Sequence, residues 1–229
     1  MVDYRAFRLN KLNTPEFEHV KLLLFWPFFG LVFQLLERCL NLDFHVVSCE
    51  LDAKIPFCEY FLIPYLFWFV FLIGMLIYSF FYDIPTFKKY MKFIICTYTI
   101  TLIIYMIYPT MQELRPESFE RDNLFTRIVG FLYGFDTNTN VCPSIHVLGS
   151  FAVYFAARDS KKFSSFAWRI VFFICAVLIS VSTVFLKQHS AVDIAAALVL
   201  CIAVYPFVFR NVKVKQLPVE EEQAEQYVS

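Results

Sequence analysis

Long apolar runs separated by short polar segments dominate the pattern of hydrophobic and polar positions along the chain. A helix that crosses a bilayer needs about 20 predominantly apolar residues, within a range of about 17–25. Six segments approach that length, so the pattern predicts an all-α bundle of six transmembrane helices. The predicted spans are residues 20–36, 60–81, 93–108, 144–157, 170–186 and 191–209.

Lysine and arginine are concentrated between alternate apolar segments. They occur in the N-terminal tail, in the predicted loop around residues 88–92, at residues 158–169 and at residues 210–215. Positive residues favour the cytoplasmic side of a membrane. We therefore expect both termini in the cytoplasm and the loops 37–57, 109–143 and 187–190 on the outer face. The expected location is the plasma membrane, with an internal membrane as the alternative.

The chain contains no internal repeat and no Gly/Ser-rich linker, which predicts a single membrane domain over residues 1–215. The acidic stretch that follows, residues 216–229, is predicted to be a disordered cytoplasmic tail. Within the long outer loop, apolar residues recur at helical spacing over about 118–133. This predicts a short amphipathic helix, which either lies at the membrane interface or covers a site.

The composition agrees with a membrane protein. Hydrophobic residues make up 59% of the chain and charged residues 17%, against about 45–50% and about 25% in soluble domains. The net charge is zero and there is no basic stripe, which excludes nucleic acid as an expected partner and leaves membrane lipids. Composition does not indicate an oligomeric state.

The seven cysteines are scattered and include no CxxC pair, so a zinc or dithiol redox site is not predicted. Cys49 and Cys58 fall in one short loop on the predicted outer side. Spacing alone does not decide whether they form a disulfide.

Ionisable residues stand at the start of the last predicted helix. His189 and Asp193 are four residues apart and therefore share one helix face. A carboxylate beside an imidazole fixes its tautomer, and the free nitrogen then acts as a nucleophile or a base. Lys187 adds a positive charge beside them. A simpler alternative is that Asp193 only caps the helix.

Two further segments on the outer side carry matching chemistry. His146 follows Ser144 at the start of the fourth predicted helix and is a candidate proton donor. Arg115, in the loop after the third helix, offers a planar fork that suits phosphate oxygens. A histidine at a membrane boundary is more often a simple interfacial residue, but together these residues predict a phosphoryl-transfer site.

The same residues resemble the three-part signature of the type 2 phosphatidic acid phosphatase superfamily, Lys-x6-Arg-Pro, Pro-Ser-x-His and Ser-Arg-x5-His-x3-Asp. The matching positions are Arg115-Pro116, Pro143-Ser144-Ile145-His146, and Ser182 with His189 and Asp193. The resemblance covers about residues 60–209.

The resemblance implies a six-helix fold with its site on the outer face and a lipid phosphate as substrate. It implies that His189 forms a phosphohistidine, that Asp193 holds His189, and that His146 protonates the leaving group. Arg115 and Ser144 would bind phosphate oxygens. The family needs no metal for this step, so we expect neither a metal nor a cofactor.

Two positions depart from the signature, because Tyr108 and Thr183 stand where the family has cations. Lys187 is a candidate replacement for one of them. Similar losses occur in sphingomyelin synthase-like and inositol phosphorylceramide synthase-like branches, which pass the head group to an alcohol. A lipid phosphatase is therefore the leading hypothesis, a head-group phosphotransferase the second, and a non-enzymatic membrane protein the third.

Overall fold

The computed structural model describes residues 2–38 and 42–210. Within these ranges the regular secondary structure is helical apart from one pair of two-residue parallel strands. The helices are α1 (Phe25–Arg38), α2 (Glu50–Lys54), α3 (Leu62–Tyr82), α4 (Ile84–Ile107), α5 (Leu124–Phe135), α6 (Ile145–Asp159), α7 (Phe166–Phe185) and α8 (Ala191–Phe209). The strands are β1 (His45–Val46) and β2 (Thr110–Met111). The predicted tail, 216–229, lies outside the described residues.

In the part of the chain that the structure describes, five helical segments are long and apolar enough to cross a membrane, which indicates an integral membrane protein. They are Glu18–Arg38, Glu59–Tyr82, Ile84–Ile107, Phe166–Phe185 and Ala191–Phe209. The first of these begins as a 3-10 helix, Glu18–Leu24, and continues directly into α1. The all-α class is therefore confirmed, with five segments that meet the criteria for a membrane span.

The fourth predicted span is α6, and it is shorter than the others. Its 15 residues extend about 22 Å, against about 30 Å for the hydrocarbon core of a bilayer. It packs against α3, α4, α7 and α8, and small residues line much of its buried surface. Because neighbouring helices surround α6, its polar residues His146 and Ser150 are buried against protein.

Gly149 allows α6 to approach α3 and α4 closely. A Cβ atom at this position would lie 2.7 Å from the Tyr98 hydroxyl and 3.0 Å from Trp68 Nε1. Both distances are shorter than ordinary contacts, so only glycine fits here without displacing the neighbours. The close approach sets the depth at which the start of α6 sits in the bundle.

The lysines at 88–92 are not in a loop, and that prediction is wrong. Asp83 is the single residue between α3 and α4, and its Oδ1 accepts the Thr86 N–H at 3.3 Å. This cap starts α4 before the lysines, so they lie on its first turns. Lys89 donates to Asp159 at the end of α6 (2.8 Å), which brings the basic residues to one end of the bundle.

The predicted amphipathic helix of the outer loop is present as α5. It begins at Leu124, later than predicted, because Asn123 forms a capping box with Thr126. One face of α5 packs through Val129 on the start of α3 and the end of α7, whereas Phe131 on the other face is exposed. The helix therefore covers this end of the bundle.

Cys49 and Cys58 are both free thiols in the structure. Cys49 is the N-cap of α2, and Cys58 precedes the short 3-10 helix Glu59–Phe61. The possible disulfide is therefore absent from this loop.

Candidate functional site

The site is built around a histidine and an aspartate at the start of α8. His189 Nδ1 lies 3.1 Å from Asp193 Oδ2, and both side chains are buried. With the carboxylate ionised, Nδ1 carries the proton and Nε2 keeps a free lone pair. Asp193 Oδ2 also accepts the Ser190 N–H at 2.9 Å, which completes a capping box for α8. Asp193 thus caps the helix and orients the imidazole at once.

Asp52, on α2, supports this arrangement and was not predicted from the sequence. Its carboxylate accepts the Ser190 hydroxyl at 2.6 Å, the Ala191 N–H at 2.8 Å and the Cys49 N–H at 2.8 Å. Burial alone would raise the pKa of Asp52, but these three hydrogen bonds together hold it below its ordinary value. Asp52 therefore fixes the chain that carries His189, as an anion at neutral pH.

His146 lies beside His189 at the start of α6. The two ring centroids are 5.6 Å apart, with the ring planes at 68°. Tyr65 and Trp68 of α3 contact the His146 ring at centroid distances of 4.7 and 4.5 Å. These contacts leave the imidazole one orientation, and His146 Nδ1 is buried without a hydrogen-bond partner.

The starts of α6 and α8 are fixed to each other and to α4. The Ser144 N–H donates to the Asp193 carbonyl at 3.3 Å. Two α4 hydroxyls bind the carbonyls just before and within the α6 start, from Tyr105 to Pro143 at 2.6 Å and from Tyr98 to Ile145 at 3.2 Å. The first N–H groups of α6 have no acceptor within the helix, so this end favours an anion.

Arg115 contacts Gln188, the residue before His189, and its guanidinium is largely engaged with the protein. Nη1 donates to the carbonyl of Tyr133, and Nη2 donates to the carbonyls of Asp136 and Thr137 and to Gln188 Oε1, at distances of 2.5–3.0 Å. The guanidinium also lies over the Tyr133 ring, with Cζ 4.5 Å from the ring centroid. Only Nε is buried without a partner. Arg115 thus anchors the end of α5 and links it to Gln188.

Lys187 does not direct its ammonium at the histidines. Nζ donates to the carbonyls of Asp52 at 2.8 Å and Ile55 at 2.5 Å. Burial lowers its pKa, and the charge of Asp52 partly offsets this. Through these two hydrogen bonds Lys187 links α2 and the residue after it to the turn before α8. The structure gives the expected phosphate contact no support.

The two positions that depart from the signature differ in environment. Tyr108 is 53% exposed and stacks on His45 at a centroid distance of 4.2 Å. Thr183 is buried, and its hydroxyl donates to the Ser180 carbonyl in its own helix. Neither side chain supplies a positive charge to the site.

Buried polar atoms without a partner are concentrated around the two histidines. In the described part of the chain eleven such side-chain atoms occur, and six belong to this site. They are Arg115 Nε, Asn140 Oδ1, Ser144 Oγ, His146 Nδ1, Gln188 Nε2 and Asp193 Oδ1. Buried polar atoms are normally paired, so this concentration indicates a place for a small polar group. Sequence reasoning missed Asn140 and Gln188, although Gln188 is adjacent to His189.

A small cavity lies between these side chains. Its volume is about 20 Å³, which is room for about one water molecule. Residues that line it come from α1, the segment after α5, the start of α6 and the turn before α8: Phe33, Asp136, Thr137, Thr139, Asn140, Val141, Ile145, His146, Gln188 and His189. A phosphate group therefore enters only if some of these side chains move.

A larger groove adjoins the cavity on the side of α1. Its volume is about 390 Å³ and its walls come from the end of α1 and the end of α5. The lining residues are Phe33, Gln34, Glu37, Arg38, Phe135, Asp136 and Thr137. Glu37 accepts hydrogen bonds from Asn140 Nδ2 at 2.7 Å, from Thr139 Oγ1 at 3.0 Å and from Thr137 Oγ1. Glu37 thus holds the segment 137–140 that separates groove from cavity.

Metal ligands do not cluster at the site. Across residues 2–38 and 42–210, no group of three or more His, Cys, Asp or Glu side chains is arranged so that it could hold a metal ion. The polar atoms around the cavity are instead mixed donors and acceptors, which suit an oxyanion that also carries a hydroxyl.

Comparison with known proteins identifies no relative of this chain. No family model, no curated protein and no solved structure matches the chain.

Proposed function

We propose that this chain is an integral membrane phosphatase that hydrolyses a lipid phosphate monoester or pyrophosphate through a phosphohistidine intermediate. The observation that carries the proposal is the buried His189–Asp193 pair with a second histidine, His146, 5.6 Å away between ring centroids. A nucleophile oriented by a carboxylate and accompanied by a proton donor is what this reaction needs.

The proposed topology has six membrane-crossing helices, namely the five long segments and α6 between α4 and α7, with the site on the outer face of the plasma membrane. The start of α6 carries His146, whereas its end, Asp159, pairs with Lys89. Tyr4 of the N-terminal segment donates to the Phe80 carbonyl at the same far end. The basic end therefore lies opposite the histidines, and the excess of positive residues favours the cytoplasm for it and for both termini.

In the first proposed step, His189 Nε2 attacks phosphorus and the bond from phosphorus to the leaving oxygen breaks. Protonated His146 gives its proton to that oxygen, and Asp193 stabilises the positive charge that develops on His189. In the second step, water attacks the phosphohistidine while neutral His146 takes the proton of that water. The phosphorus–nitrogen bond breaks, inorganic phosphate leaves, and His189 is restored.

The phosphate oxygens would be held mainly by neutral donors. The Ser144 hydroxyl and the first N–H groups of α6 face an anion at a helix start. Arg115 Nε and Gln188 Nε2 are the other free donors. These groups stabilise negative charge without being consumed by the reaction.

The test is phosphate release by the purified protein in detergent with EDTA, using phosphatidic acid, phosphatidylglycerol phosphate and a polyprenyl pyrophosphate. We expect His189→Ala to abolish release and the acid-labile phosphoprotein intermediate, and Asp193→Ala to lower the rate by on the order of 10³–10⁴. His45→Ala is the matched control, because His45 is exposed on β1 and should retain full activity. Undiminished release by His189→Ala would refute the mechanism.

Transfer of a head group to an alcohol is the second candidate. Tyr108 and Thr183 are neutral, and the Lys187 ammonium donates its hydrogen bonds to backbone carbonyls. Little positive charge is therefore left for the substrate, which favours a phosphodiester because it carries less negative charge than a monoester. No phosphate release without an added alcohol, and a new phosphodiester with one, would identify this activity. Activity in neither assay would favour a non-enzymatic membrane protein.

A further inference from the structure

The cavity at the histidines is too small for a substrate with a lipid portion. Its volume of about 20 Å³ compares with about 390 Å³ for the adjoining groove. Phe33, Asp136 and Thr137 line both spaces. Whatever is attached to a phosphate at His189 therefore has a large adjoining space on the side of α1.

Aromatic side chains line this groove from both α1 and α5. Phe33 comes from α1, within a segment long enough to cross a membrane, and Phe135 from the end of α5 is 69% exposed. Leu31 of α1 is also exposed. The groove thus continues onto a helix surface that suits a hydrocarbon chain.

Polar side chains complete the lining of the groove. Glu37 and Asp136 supply carboxylates there, with Gln34 and Arg38 beside them. The carboxylate of Asp136 accepts the Tyr65 hydroxyl at 2.8 Å, and that of Glu37 holds the segment 137–140. A lipid alcohol fits this mixed lining, because it carries a polar end beside the phosphate and an apolar chain that can extend along the exposed side chains of α1 and α5.

We infer that the groove between the ends of α1 and α5 binds the hydrocarbon-bearing alcohol of the substrate, so that the lipid reaches His189 laterally past α1. The inference rests on the proposed function. It adds the place where the long apolar chain of the proposed lipid substrate binds. It also gives Gln34 and Phe33 a role in substrate discrimination that the signature residues do not have.

The experiment narrows the groove and compares two substrates with the same reacting group, dioleoyl and dibutyryl phosphatidic acid in mixed micelles. We expect Gln34→Trp to lower kcat/KM at least tenfold for the dioleoyl substrate and less than threefold for the dibutyryl one. Leu35→Trp is the matched control, because Leu35 is the next residue on α1, is exposed and does not line the groove. It should change neither value more than threefold.

A second pair of variants tests the same groove if Gln34→Trp fails to fold. Gln34→Cys and Leu35→Cys are purified in folded form and then reacted with a bulky maleimide, with treated wild type as the reference for the native cysteines. Only label at position 34 should lower turnover of the dioleoyl substrate selectively.

The outcomes separate the two proposals. Wild-type protein that cleaves both substrates, with position-34 variants that affect both equally or neither, overturns the groove and leaves the phosphatase intact. Wild-type protein that releases phosphate from no lipid phosphate overturns the proposed function and, with it, this inference.

Discussion

Replacing Asp52 with asparagine isolates the support that α2 gives to the nucleophile. Asp52 Oδ2 accepts two of the three hydrogen bonds, from Cys49 and the Ser190 hydroxyl, and Oδ1 accepts the Ala191 N–H. In the asparagine, the amide oxygen can take the place of Oδ2 and keep its two hydrogen bonds. The amide NH₂ group then takes the place of Oδ1 and faces the Ala191 N–H, which loses its acceptor. The shape of the side chain is almost unchanged, so the substitution removes charge and one acceptor only.

The size of the effect follows from those three contacts. A hydrogen bond to a charged group contributes about 1.5–3 kcal/mol, and a buried donor left without an acceptor costs about 1–3 kcal/mol. With two bonds weakened and one lost, we expect Asp52→Asn to lower the free energy of unfolding by about 3–5 kcal/mol. For a chain of this size that corresponds to a fall in Tm on the order of 10 °C.

Thermal unfolding in detergent measures this, at pH 7 and at lower pH. The folded-state pKa of Asp52 is depressed, so its stabilising effect is present above the ordinary pKa of about 3.9 and is lost as pH falls below it. The difference between wild type and Asp52→Asn should therefore shrink below about pH 4. Asp122→Asn, in an exposed pair with Arg127, serves as the control and should leave Tm unchanged.

A Tm of Asp52→Asn within about 2 °C of the wild-type Tm at pH 7 would refute the reasoning. A shift that small is what a surface substitution is expected to cause. A second readout separates position from stability. Below its Tm, the variant should lose kcat with little change in KM, because the Ser190 turn carries His189 and not the groove.

Three further predictions concern packing and side-chain state. Gly149→Ala should lower the free energy of unfolding by about 1–3 kcal/mol, because its Cβ would lie 2.7 Å from the Tyr98 hydroxyl; thermal unfolding measures this, and an unchanged Tm would contradict it. Lys187→Gln should lower Tm because two carbonyls lose their cation, whereas a stable variant with a raised KM would show that the ammonium binds phosphate instead. Burial, and then the Asp193 charge, raise the pKa of Cys142 to about 12. At pH 7.5 the thiolate fraction of Cys142 should therefore be on the order of a thousandfold below that of an ordinary thiol, and maleimide labelling followed by peptide mapping should find it labelled at full rate only after unfolding.

The features that could be predicted from the sequence are local ones. The long apolar helices follow from segment length, and the contact between His189 and Asp193 follows from a spacing of four residues on α8. The presence of α5 follows from apolar residues at helical spacing. Each depends on neighbours in the sequence, so no knowledge of tertiary contacts is needed.

The features that could not be predicted depend on contacts between distant residues. Asp52 meets Ser190 across 138 positions of sequence, and no local pattern connects them. The direction of Lys187 is set by the carbonyls that α2 brings to it. The start of α4 was misplaced for a different reason: a single capping residue, Asp83, replaces a loop, and lysine stems can lie along a helix while their charges reach out.

The positions of the cations bear on which reaction the site favours. A phosphate monoester carries about −1.5 to −2 at pH 7, because its second pKa is about 6, whereas a phosphodiester carries a single negative charge. Lys187 donates to two carbonyls and Arg115 has only Nε free, so fixed positive charge is scarce where phosphate would bind. Neutralising a monoester dianion would require Arg115 to release a carbonyl of the segment 133–137, and with it the end of α5 that borders the groove. Arg115→Lys, which cannot span those carbonyls, should therefore loosen the groove and impair turnover of a monoester more than of a diester with the same acyl chains. Equal loss on both substrates would mean that Arg115 anchors α5 only and never meets the phosphate.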